Sequence, residues 1–196
     1  MGRLFQSIRD LNAEVETIRR RPYGVIEVVD GELIGIHCRP WPKLVSGMEA
    51  WWDGALGKGR HKKNHSLVYY NQPAGHRNYL ALAYTVTSIH TTWKTWVRSL
   101  AVLDFVAYAK RSDALLAEVY NKRISDRLLA RLGWEPQNLS SSKRHWIKRF
   151  YGNFPDHPLF KTMGLKHPIP DPKAIVAAAF GAPHLPPADS PTTTQP

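Results

Sequence analysis

The stretch Thr91–Gly133, TTWKTWVRSLAVLDFVAYAKRSDALLAEVYNKRISDRLLARLG, decides how the chain is read. Its first half places apolar residues at 93, 96/97, 100, 103 and 107, the three-to-four spacing of a helix. The remaining face is almost as apolar, so the pattern predicts a helix over Thr92–Arg111 that is covered on most sides. Ala114–Tyr120 (ALLAEVY) is an apolar run of strand length with Glu118 as its only charge. Arg123–Leu132 then puts Ile124, Leu128, Leu129 and Leu132 on one helical stripe and stops at Gly133. Glycine suits the left-handed position just past a helix end. Upstream, Asn78–Thr87 (NYLALAYTVT) reads as a further strand. Strand, helix, strand, helix predicts an α/β layer with a right-handed crossover between neighbouring strands.

Working outward toward the N-terminus, Arg3–Arg20 carries Leu4, Ile8, Leu11, Val15 and Ile18 on one face and is predicted as an amphipathic helix. Pro22 ends it, because the residue before proline avoids the helical region, and the Arg19–Arg21 run reads first as a solvated helix end and second as a phosphate contact. Tyr23–Val29 and Glu32–Cys38 flank Asp30-Gly31, a pair able to take the positive φ angles of a tight hairpin turn. Pro40 and Pro42 break the pattern, Leu44–Leu56 reads as one short helix, and Gly57–His65 (GKGRHKKNH) as a basic loop. His61 and His65 sit four apart, but no acid or cysteine accompanies them and the lysines between repel a cation, so no metal is expected. Ser66–Asn71 and Asn78–Thr87 form a second hairpin across the Pro73- and Gly75-containing loop.

Toward the C-terminus, Trp134–Ser142 is loop-like and Arg144–Tyr151 (RHWIKRFY) fits strand alternation and helical spacing equally well. Five prolines between 155 and 172 prevent long regular structure. The organisation expected is one α/β (α+β) domain over 1–154, a Pro-rich extension over 155–182 and a disordered tail over 183–196. Lys173–Phe180 reads as a short Ala-rich helix within that extension.

The chain has 196 residues, enough for one domain with a sizeable core. Its 27 basic residues against 16 acidic give a net charge of +11, which favours acidic partners such as phosphates or nucleic acid and says nothing about fold. The single cysteine, Cys38, suits a reducing compartment and reads as a packing residue. Met1–Arg21 mixes charges throughout without an apolar core and is not expected to be a secretory signal, and the apolar run Ser99–Ala109 is far short of a membrane span. A soluble cytoplasmic protein with no membrane partner is the expectation.

The order hairpin, strand, buried helix, strand, helix, final strand resembles the Gcn5-related N-acetyltransferase superfamily, most specifically over Ala81–Tyr151. Glu118-Val119-Tyr120-Asn121 followed by Leu128-Leu129-Ala130-Arg131-Leu132-Gly133-Trp134 looks like that family's strand, asparagine and leucine-glycine-aromatic helix end. The resemblance implies an acyl-CoA N-acyltransferase-like fold, a central mixed and mostly antiparallel sheet flanked by helices. It also implies acetyl-CoA or another acyl-CoA as cofactor and an amine as acceptor. The family's glycine-rich pyrophosphate loop falls on Trp93–Arg98, which holds no glycine, and its general-acid tyrosine falls on Leu129. Cofactor contacts are therefore expected from Thr91, Thr92, Lys94, Arg98 and Asn121, with the candidate acid–base groups Glu118, Tyr84 and Tyr120. Trp93 and Trp96 hold a pyrophosphate away from the helix start, so acetyl-CoA is expected to bind in the high micromolar range or weaker, under about 6 kcal/mol.

Two other readings come from the residues themselves. Ile124–Leu132, the Gly133 turn and Ser140–Tyr151 also read as a helix-turn-helix, whose second helix presents Lys143, Arg144, Lys148 and Arg149 to nucleic-acid phosphates. Alternatively, the chain is a relative without catalysis, or a basic structural and interaction protein with no chemistry.

Overall fold

The turn at Asp30-Gly31 sets the first half of the sheet. Both residues have positive φ, 52° and 77°, the backbone of a two-residue turn that matches strand twist. β2 (Tyr23–Val29) and β3 (Glu32–Arg39) therefore pair antiparallel, as expected. The computed structural model describes residues 6–42, 64–121, 124–137 and 144–168. The expected helix over Leu44–Leu56, His61, Lys143 and the readings placed beyond residue 168 lie outside the described residues.

The expected helix over Arg3–Arg20 is corrected. Residues Gln6–Ile8 form strand β1 against β3, and the helix, α1, spans only Val15–Arg20. Ile8, Leu11 and Ile18 are all buried, so the apolar spacing was real, but a strand, a turn and a short helix share it. β4 (His65–Asn71) adds to the other side of β2, and β5 (Tyr79–Thr87) pairs antiparallel with β4. His65, read as the end of a basic loop, is the first residue of β4.

α2 (Trp93–Ala109) crosses from β5 to β6 (Ala114–Glu118). Thr92 caps it, its hydroxyl accepting from the Thr95 N–H, and Arg111 at φ 53° takes the chain out of the helix. Twelve of its seventeen residues are buried, so it is covered on most sides, lying across β2, β3 and β4. β6 runs parallel to β5, the sole parallel pair of the described sheet. α3 (Asp126–Arg131) is capped by Ser125 and ends before Gly133 at φ 81°. Residues Glu135–Gln137, read as loop, form β7, and His145–Arg149 form β8, placed between β6 and β7. A five-residue helix, α4 (Pro158–Thr162), uses proline in its first turn, where a missing N–H is harmless.

The result is a mixed α+β fold, an open eight-stranded and mostly antiparallel sheet in the order β1-β3-β2-β4-β5-β6-β8-β7 with four helices among the described residues. Ile26, Val28, Val68, Tyr70, Leu80 and Leu115 face α2 in one large core. At its α4 end Tyr108 meets Phe150, Phe154 and Phe160 edge-on, with ring centroids 5.1–5.7 Å apart. The alternate residues Val25, Leu67 and Tyr69 make a smaller cluster on the reverse face. Leu115 is buried, whereas Leu116 and Val119 are only half-buried. Cys38 packs in the core, where burial pushes its thiol up. No helix among the described residues is long and apolar enough to cross a membrane.

Candidate active site in the cleft between β5 and β6

β5 and β6 pair only from Tyr79 with Ala114 to Leu82 with Ala117. Beyond that, β5 continues to Thr87 beside β4, while β6 stays with β8. A cleft of about 260 Å³ opens where the two strands part. Trp96 and Leu100 of α2 form one wall, and Leu129 and Trp134 close the end near α3. Trp134 is held there because its N–H bonds the Leu129 carbonyl across the Gly133 turn.

Tyr84, Glu118, Tyr120 and Asn121, named from the sequence, all line this cleft. They meet because they sit at or beyond the carboxyl ends of the parallel pair. Tyr84 is half-buried on β5, its ring 6.2 Å from Tyr69, and Tyr120 stands exposed at the rim. The arrangement offers a carboxylate and two phenols beside an apolar slot.

The residues expected as anion contacts at the start of α2 engage other parts of the protein. Arg98 turns to the β2–β3 turn, where it donates to the Gly31 carbonyl and pairs with Glu32 at 2.8 Å. Lys94 lays its methylenes over Gly31. Thr91 donates to the His65 carbonyl at 2.6 Å, and the Thr92 hydroxyl is taken up by its own cap. None of these four lines the cleft, whose contact from the helix start is Trp96.

The helix-turn-helix reading loses its second helix, since His145–Arg149 is a strand inside the sheet. Of its cations, the three among the described residues are engaged: Arg144 with Asp126, Arg149 with Glu135, and Lys148 with Asp104 at 2.7 Å. Asp104 was missed in the sequence as one more position of an apolar helix. It is 3% exposed, and the His157 Nε2 stands 3.5 Å from the same carboxylate oxygen. Burial raises the Asp104 pKa, against the pull of Lys148 and then His157. A single acid inside a run as apolar as 99–109 is itself a signal, because a buried carboxylate needs a partner. These three residues line a second cavity, about 320 Å³, on the far side of Leu100 and Trp134.

On the reverse face, Glu27 accepts from or pairs with His37 Nε2 at 2.8 Å and His65 Nε2 at 3.0 Å, and Ser7 Oγ is 2.9 Å from His37 Nδ1. His65 is thus committed to a carboxylate of its own sheet. Among the described residues no group of three or more His, Cys, Asp or Glu side chains is suited to hold a metal ion. No family model, curated protein or solved structure matches this chain.

Proposed function

We propose that the cleft binds an acyl-coenzyme A and that the protein is an N-acyltransferase of acyl-CoA N-acyltransferase-like fold. The observation that carries this reading is the parting of the one parallel strand pair among the described residues, which leaves the β6-facing side of β5 without a neighbouring strand among those residues from Ala83 to Thr87. An extended ligand with amides along its length, such as the pantetheine arm, satisfies such a strand edge as an added strand would. The thioester end then lies beside Glu118 and Tyr84. Glu118 takes the proton from the attacking amine, the new C–N bond forms as the C–S bond breaks, and Tyr84 protonates the departing thiolate.

With Arg98 held by Glu32 and Trp96 in the slot, the arm supplies most of the affinity and the pyrophosphate little. Calorimetry with acetyl-CoA and with S-acetylpantetheine tests this directly. Both are expected to bind in the high micromolar range or weaker, within about tenfold of each other. Glu118→Gln is expected to leave binding intact and slow acyl transfer by about 10²–10⁴-fold, the usual contribution of a general base. Binding of neither ligand removes the proposal. Binding with transfer unaffected by Glu118→Gln removes the catalytic assignment.

A further inference from the structure

A cavity of about 560 Å³ lies away from the cleft, where α1, α2 and the β4–β5 loop end together. Arg19, Arg20, Arg77 and Lys110 line it, with Tyr23 and Gln72 adding polar groups, and no Asp or Glu is among its lining residues. Lys110 forms its floor. It is 8% exposed, and its Nζ donates to the carbonyls of Arg19 at 3.2 Å and Arg21 at 2.7 Å and to Gln72 Oε1 at 3.3 Å. All three acceptors are neutral, so they satisfy its hydrogen bonds and leave its charge in place.

Part of this gathering is structural. Arg19 Nε donates to the Ala109 carbonyl at the end of α2 while Lys110 covers carbonyls at the end of α1, so each helix end receives one cation. Arg19 also pairs with Glu16, which lies outside the cavity lining. Hydrogen bonds to helix-end carbonyls hold Arg19 and Lys110, while Arg20 in the last turn of α1 and Arg77 in the β4–β5 loop come to the same cavity from exposed positions. Such a surplus of cations in a concavity concentrates anions. A single carboxylate would use one or two of these groups, whereas linked phosphates use several at once.

We infer that this cavity is a binding site for a ligand bearing two or more phosphate groups. The shared chemistry is the phosphate, whether carried by a free nucleotide or by a nucleic-acid backbone. This reading is independent of the cleft and stands or falls without it.

Fluorescence anisotropy with a labelled 12-nucleotide single strand, and competition by pyrophosphate and ATP, tests it on the full chain. Arg20→Glu with Arg77→Glu reverses two cavity charges at exposed sites. Arg127→Glu with Arg131→Glu makes the same charge change on exposed positions of α3. The cavity variant is expected to weaken oligonucleotide binding at least tenfold and to flatten its salt dependence by about one unit per lost phosphate contact. The α3 variant is expected to stay within about twofold of the parent. Displacement by pyrophosphate or ATP assigns the site to free phosphates, and oligonucleotide binding without displacement assigns it to the backbone. Either outcome upholds the site when the loss is confined to the cavity variant. Equal losses in both variants, or no binding of any probe, overturn it. Unchanged melting temperatures confirm that both variants are folded.

Discussion

Lys148 and Lys110 are two largely buried lysines, and the fold accommodates them in opposite ways. Lys148 crosses from β8 to a carboxylate on α2, and the charges cancel inside the protein. Lys110, at the end of that same helix, finds only carbonyl oxygens, and its charge is passed outward to a cavity. A buried cation that meets an acid becomes part of the core. One that meets only dipoles keeps an outside appetite for anions.

The largest effect is expected at Asp104. Asp104→Ala strands the Lys148 ammonium and is expected to lower stability by about 3–5 kcal/mol in urea unfolding. Asp104→Leu combined with Lys148→Met is expected to recover most of that loss. A loss under about 1 kcal/mol for Asp104→Ala would put the pair in effective contact with water and erase the contrast.

Lys110 gives the next effect, and it appears with pH. Burial lowers its pKa from 10.5 to about 8. The native state therefore releases this proton before the unfolded chain does, and stability rises with pH between about 8 and 10.5. The rise is at most about 3 kcal/mol, reduced by the three acceptors that favour the ammonium. Lys110→Met should flatten this limb in unfolding measured from pH 7 to 11, because it removes the titrating group. A limb that persists in the variant would assign it to another residue.

Glu27 sharpens the same contrast on the reverse face, as a carboxylate set between two histidines. Burial alone would raise its pKa, but the hydrogen bonds from His37 and His65 hold it below 4.5. Its contribution is present above pH 4.5 and disappears as pH falls through the lower native value. Glu27→Gln is expected to cost about 1–2 kcal/mol at pH 6 and to make acid unfolding shallower. An unchanged acid limb would show that the pair of histidines contributes nothing.

What was legible in the sequence was local. Asp30-Gly31 dictates its hairpin through backbone geometry alone, and the Thr92-capped helix follows from spacing that no neighbour needs to correct. The N-terminal segment was misread because Ile8, Leu11 and Ile18 face one core at intervals that a helix also satisfies. β7 escaped notice because Glu135-Pro136-Gln137 has no apolar alternation, being an edge strand with little to bury. Tyr84, Glu118, Tyr120 and Asn121 were found together because two adjacent strand ends carry them. The turning of Arg98 toward Glu32 was hidden, since it depends on where the β2–β3 turn lies relative to α2. The basic cavity was equally hidden, drawing on residues 19–23, 72–77 and 110, which only the sheet order brings together.

The outermost strands of the described sheet, β1 and β7, are each three residues long, and β7 carries Pro136 at its centre. A sheet of eight strands presents two borders on which another chain can crystallise into fibrils, and the hazard grows with the length of unpaired backbone. Among the described residues β1 and β7 themselves offer only a few groups, and the proline removes one donor outright. Outermost strands this short work against edge-to-edge polymerisation, which a long, flat border would seed.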